Sequence, residues 1–279
     1  MEEEKRQNRV TETKQIIEDD WDDATPDNTW LDFGCEWDPD YMEAWLTGHW
    51  GFFKSDQPRH LDHKTREMIV AGVLACRDRP GAYTHAKNAI KHGASVNDLL
   101  EVFSVAVGAG GSPTLMVGLD SLRRIVNEES NHNPIDRDWK YSVRKEMEEV
   151  KNNTSETREE KINRITKKIQ NDMGYKDEAI EYGINLDPDF FEVNSRVYWG
   201  FFEGKRGHLD PIVRMMVSIV IMAYRGMSEE LYENTKKAMK LGATEMQLLE
   251  AFEVCVTPGG MVVLHEGLRA LKRINDEKE

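Results

Sequence analysis

The chain repeats itself. Residues from about Trp37 to Val126 recur, altered but recognisable, from about Leu186 to Asn275. Asp38-Pro39-Asp40-Tyr41 answers to Asp187-Pro188-Asp189-Phe190, and Trp50-Gly51-Phe52-Phe53 answers to Trp199-Gly200-Phe201-Phe202, with equal spacing in each copy. His60-Leu61-Asp62 with Arg66 then matches His208-Leu209-Asp210 with Arg214, and Gly93-Ala94-Ser95 matches Gly242-Ala243-Thr244. Leu99-Leu100-Glu101 with Phe103 matches Leu248-Leu249-Glu250 with Phe252, and Gly110-Gly111 matches Gly259-Gly260. Both copies finish on Gly-Leu-x-x-Leu-Arg/Lys-Arg-Ile. Two units are too few for a solenoid, so the pattern describes a fused pair that resembles a homodimer made intramolecular.

Each copy reads as helical. Asp62 and Asp210 suit helix N-caps, and Pro211 suits the first helical position, where a missing N–H costs nothing. Residues 68–74 and 215–222 are apolar nearly all round, the mark of a central, buried helix. Gly93 and Gly242 suit the left-handed position that closes a helix, and Ser95 with Asp98 and Thr244 with Gln247 form capping boxes for the next. Leu99, Leu100, Phe103, Ala106 and Val107 recur at helical intervals, as do Leu248, Leu249, Phe252, Cys255 and Val256. No convincing alternating run predicts a strand, so the fold class is all-α, two tandem repeats joined by a charged helical linker.

Four segments follow. Residues 1–36 form an acidic arm, whose first 30 residues have Trp21 and Trp30 as their only large anchors and are either partly disordered or laid over a neighbour; 37–127 are repeat 1 and 175–279 repeat 2. Residues 128–174 are strongly charged, with spacings that suit two lightly amphipathic helices around a break at Asn152-Asn153.

Composition excludes several function classes. A net charge of −14 spread along the chain would repel phosphate backbones, so nucleic acid is not an expected partner. The opening Met-Glu-Glu-Glu-Lys-Arg lacks the order of a secretory signal, and no apolar run of about 18 residues is present to span a bilayer, so the expectation is a cytoplasmic protein without a membrane partner. Three cysteines, Cys35, Cys76 and Cys255, with no C-x-x-C spacing, argue against a disulfide framework or a zinc cluster. The histidines lack H-x-x-x-H and H-E-x-x-H spacing, so no metal site is expected.

Trp-Gly-x-x, then Leu-Asp-x-x-x-Arg opening the buried helix, then a His or its substitute before Gly-Ala-Ser/Thr, then Leu-Leu-Glu-x-Phe, occur in that order twice. In this, each copy resembles the carboxymuconolactone decarboxylase family, an all-α group that includes the AhpD-type alkylhydroperoxidases. The resemblance covers about two thirds of the chain and implies a homo-oligomer, with a trimer of tandem chains favoured. The alkylhydroperoxidase branch carries a Cys-x-x-Cys ahead of its histidine. Asp78 and Gly81 stand at those positions ahead of His85, so the chain looks more like the decarboxylase branch.

His85 stands where the family keeps a histidine, and an imidazole can give or take a proton near neutral pH. Its counterpart Asn234 cannot shuttle a proton. Arg66 and Glu67 begin the buried helix; an arginine there could hold a carboxylate through two parallel hydrogen bonds, or simply pair with the acid. In the second copy Arg214 persists while Glu67 becomes Met215. His49 becomes Tyr198, which raises it as a site residue; Trp50 and His265 are further candidates to line a substrate pocket, although core packing would also explain Trp50.

The resemblance implies loss of CO2 from a small lactone acid whose conjugated carbonyl accepts the electrons, with no cofactor required. The partner expected is then a small carboxylic acid, with Arg66 as clamp, His85 as proton donor and acceptor, and Glu67 as orienting acid. Three other readings stay open. A peroxide reductase would depend on Cys76; a cofactor-free isomerase or hydrolase would use the same histidine; a non-catalytic binding protein would have no pocket at His85.

Overall fold

The computed structural model describes residues 2–21, 29–49, 59–128, 156–198 and 208–277, and every regular element among them is a helix. Helices α1 (Glu2–Trp21), α2 (Thr29–Trp37) and α3 (Pro39–His49) pack on one another. The bundle α4 (His63–Cys76), α5 (Gly81–Lys91), α6 (Val96–Gly110) and α7 (Ser112–Glu128) follows. The second half repeats this as α8 (Arg158–Met173), α9 (Glu178–Leu186) and α10 (Pro188–Tyr198), then α11 (Pro211–Arg225), α12 (Ser228–Lys240), α13 (Glu245–Val254), α14 (Val256–Gly259) and α15 (Met261–Asp276). Helices α13 and α14 together stand for α6, broken at Cys255. The expected all-α tandem fold is the fold observed.

The local signals act as their chemistry requires. The Asp62 carboxylate accepts from the Thr65 N–H at 2.7 Å, and that of Asp210 from the Ile212 N–H at 2.7 Å. Both capping boxes are closed, and Gly93 and Gly242 take φ of 95° and 109°, a region that favours glycine. At the end of α4, Asp78 is left-handed at φ 53°; repeat 2 has Gly226 at φ 68° there.

The repeating unit is longer than its clearest sequence match. Helices α2 and α9 have nine residues each, and α3 and α10 eleven each. The acidic arm with the start of repeat 1, and the end of the linker with the start of repeat 2, therefore form corresponding three-helix elements. Each has a small core of its own: Val10, Leu31, Cys35, Met42 and Leu46 in one, Ile165, Ile169, Met173 and Ile184 in the other. Ile162, Ile165 and Ile169 do lie on one helix, α8, as their spacing predicts. The other linker helix expected around Trp139–Met147, the break at Asn152-Asn153 and both Trp-Gly-Phe-Phe motifs lie outside the described residues.

The large core is continuous across the repeats, with α4 and α11 at its centre. They approach closely at Gly72, where a Cβ would lie 3.2 Å from Val217 Cγ1. Two buried carboxylates lock the halves reciprocally. Glu101 accepts from the N–H groups of His208 and Leu209 at 2.9 and 3.0 Å and lies 3.2 Å from Arg214 Nε. Glu250 accepts from those of His60 and Leu61 at 2.7 and 3.2 Å and lies 3.7 Å from Arg66 Nε. This exchange of acids across a pseudo-two-fold axis is the arrangement of an isologous dimer interface within one chain.

Candidate active site

Capping by Asp62 fixes the first turn of α4, which carries His63, Arg66 and Glu67. Helix α5 packs along α4 and brings His85 to Glu67, with Nδ1 of His85 2.7 Å from Oε2. One turn earlier on α4, His63 Nε2 lies 3.2 Å from the other oxygen, Oε1. Both oxygens of one buried carboxylate are therefore held by imidazoles.

Burial by itself would raise the Glu67 carboxyl. The positive charge of His85 and the hydrogen bonds from His63 and His85 outweigh it and bring the group down to about 2. An ionised carboxylate can only accept, so Nδ1 of His85 and Nε2 of His63 are the donors. With Nδ1 turned to the carboxylate, any proton exchange by this imidazole would run through Nε2.

His49, at the end of α3, is driven down to about 4 by burial and then by the charge of His85, with Glu67 opposing. It is neutral near pH 7 and can hydrogen-bond without carrying charge. It also lines a groove of about 570 Å³ shared with Trp45 of α3 and with Glu253, Thr257 and Met261 of repeat 2. His92 follows α5 and stacks on His63, with ring centroids 3.8 Å apart; partial burial and the His63 charge lower it.

The other predicted residues are dispersed. Arg66 is 3% exposed and faces Glu250 rather than the Glu67–His85 pair. His265 is exposed on α15 and does not line the groove. Trp50 lies outside the described residues. Burial pushes the Cys76 thiol up, with Arg225, a hydrogen bond with Thr114, and Arg77 only partly opposing; it pushes Cys255 up strongly. At neither thiol does positive charge outweigh burial, as a reactive thiolate requires. Among the described residues no group of three or more His, Cys, Asp or Glu side chains is arranged to hold a metal ion, and no helix is long and apolar enough to cross a membrane.

His63 and His92 were not singled out in the sequence, yet signals for both are there. His63 lies four residues before Glu67, one helical turn, and repeat 2 has Pro211 in its place and Leu241 in place of His92. All four histidines of the cluster are thus replaced in repeat 2, by Tyr198, Pro211, Asn234 and Leu241, as Glu67 is by the buried Met215.

A model of the carboxymuconolactone decarboxylase family matches residues 39–123 and again 188–273, once in each repeat. The chain is also similar to a crystal structure from Burkholderia xenovorans LB400, provisionally described as that of a gamma-carboxymuconolactone decarboxylase subunit. The TM-score is 0.61 over 95% of this chain and 98% of that one, at 22% sequence identity, a likeness of fold. No curated protein matches the chain significantly.

Proposed function

The chain belongs to the carboxymuconolactone decarboxylase family, and from that premise we propose that repeat 1 is a cofactor-independent acid–base site acting on a small carboxylated lactone or a related acid, with loss of CO2. The carrying observation is the 2.7 Å contact of Glu67 with His85 Nδ1; neither lines the groove, but the charges of both act on His49, which does. In the reaction the bond to the departing carboxylate breaks and its electron pair passes into the conjugated carbonyl as an enolate. The imidazolium Nε2–H of His85 then delivers a proton to carbon, and water restores it. Glu67 holds the ring and stabilises its cationic form.

The carboxylate contact falls to His49 rather than to Arg66. A carboxylate that leaves as CO2 loses its charge on the way to the transition state, so a buried cation upon it would stabilise the ground state and slow the step. Neutral His49 suits the contact better, and Arg66 has a buried acid to balance.

The same reading has the chain assemble as a homo-oligomer. It is supported by matching exposed apolar rows, Phe33, Trp37 and Tyr41 on α2 and α3, and Tyr182, Leu186 and Phe190 on α9 and α10. Light scattering on the purified chain gives the number of copies.

The catalytic test is CO2 release from gamma-carboxymuconolactone. His85→Ala should lower turnover about a hundredfold or more, and Glu67→Gln about tenfold or more, both with the helical circular dichroism of the parent. Undiminished release in His85→Ala sinks the assignment, and turnover without CO2 moves the site to isomerisation or hydrolysis.

A further inference from the structure

The second repeat has lost the acid and the histidines, yet its core has not closed over their place. A cavity of about 180 Å³ remains around Asn234, the counterpart of His85, and Tyr198, the counterpart of His49. It overlaps in part with the pseudo-symmetric counterpart of the groove beside His49: Tyr198 and Gly108 line it as His49 and Thr257 line that groove, while the rest of the lining differs.

The walls have acquired a different chemistry. Helix α8 and the turn after it supply Asp172, Met173 and Tyr175. The Asn234 side chain donates from Nδ2 to the Glu230 carbonyl at 2.8 Å and shares a hydrogen bond with the Tyr175 hydroxyl, so it is held in place. Lys237 Nζ turns to the carbonyl oxygens of Asp172 and Met173 at 2.6 and 3.1 Å, where it caps the negative end of α8.

Two polar atoms in the lining are left over. Ser218, 1% exposed, has a buried Oγ with no hydrogen-bond partner. Asp172, 2% exposed, accepts through Oδ2 from Lys168 Nζ at 2.8 Å, while its Oδ1 is buried with no partner. A buried acceptor without a donor is destabilising, more so when charged, so both atoms favour a guest that brings one. Carboxylates outnumber ammonium groups along the lining, with Asp172, Asp177 and Glu230 against Lys237. The remainder is apolar or aromatic, with Met222, Met227 and Ile180 beside the rings of Tyr175 and Tyr198.

We propose that this cavity is a binding site for a small organic ammonium ion, its N–H groups donating to Asp172 Oδ1 and Ser218 Oγ and its hydrocarbon part lying among the methionines and tyrosines. Carboxylate, aromatic faces and polarisable thioethers together recognise such a cation. The volume admits about one six-membered ring, since an apolar cavity of about 150 Å³ in another protein holds benzene. Nothing in the lining supplies a base placed like His85, so the site binds without turnover. It stands apart from the catalytic reading of repeat 1.

The test uses the full chain carrying His85→Ala, so that catalysis plays no part, with methionine methyl groups labelled for NMR and with benzylamine, benzyl alcohol and benzoate as isosteric probes. Benzylamine is expected to bind saturably and to shift the Met222 and Met227 methyl signals, ahead of the alcohol and with benzoate excluded. Asp172→Asn, close in shape, should weaken benzylamine at least about tenfold, as loss of a charge-assisted hydrogen bond does. Ser218→Leu, which fills the cavity, should abolish binding; if it perturbs the helical signal, Tyr175→Ala serves as the second lining variant. Absence of binding, binding that leaves Met222 and Met227 unshifted, indifference to Asp172→Asn, or preference for benzoate would each overturn the proposal.

Discussion

The carboxylate of Glu250 lies 3.7 Å from the guanidinium Nε of Arg66, although the two residues belong to different repeats and both are almost wholly buried. Glu101 and Arg214 mirror them at 3.2 Å. Each acid also accepts two backbone N–H groups of the opposite repeat, just ahead of the helix that carries its arginine. Motifs that recur in both copies are thus explained as a lock between them.

Removing one partner of that lock leaves a buried charge uncompensated. Glu250→Ala should destabilise the fold by about 3–5 kcal/mol, and Glu101→Ala by a similar amount. Urea unfolding followed by circular dichroism measures both. A cost below about 1 kcal/mol would show that Arg66 and Arg214 are balanced by other groups.

Acid should unfold the protein in two stages. His49 titrates near 4 when folded against an ordinary 6.5, so unfolded chains bind the extra proton first and stability falls as pH drops from 6.5 towards 4. Glu67 is held near 2 against 4.5; its contribution is complete above 4.5 and is lost as pH falls through 2. Denaturant midpoints recorded against pH should lose the upper part of this slope in His49→Gln and the lower part in Glu67→Gln.

Cys76→Ser should leave CO2 release unchanged. Burial holds this thiol protonated, and the positions where a dithiol would stand are Asp78 and Gly81. Assay of parent and variant for CO2 release and for peroxide consumption checks this; peroxide consumption that Cys76→Ser abolishes would restore the peroxidase reading.

Gly118→Ala should destabilise the protein by about 1–3 kcal/mol through overpacking. A Cβ at Gly118 would lie 2.1 Å from Phe103 Cγ, and one at Gly267 would lie 2.3 Å from Phe252 Cδ2. Both phenylalanines are fully buried, so neither can yield easily. Thermal unfolding of Gly118→Ala and Gly267→Ala should show matched losses.

The sequence by itself determined what local chemistry determines. Asp62, Ser95, Gly93 and their counterparts mark helix ends because a cap or a left-handed turn involves residues three or four apart. The duplication was legible because the same caps and apolar intervals occur twice. Its full extent was less legible: α2 and α9 keep their length and exposed faces while few residues match, since a surface helix tolerates exchange. Which groups meet was decided by the tertiary structure. Arg66 and Glu67 are neighbours in sequence, but successive residues on a helix point about 100° apart. One therefore crosses to Glu250, and the other receives His63 and His85. Where the chain retained both a histidine cluster and its acid, one repeat holds a charged pair. Where it lost them, only the packing of α8 against the second bundle decided that a lined cavity would remain.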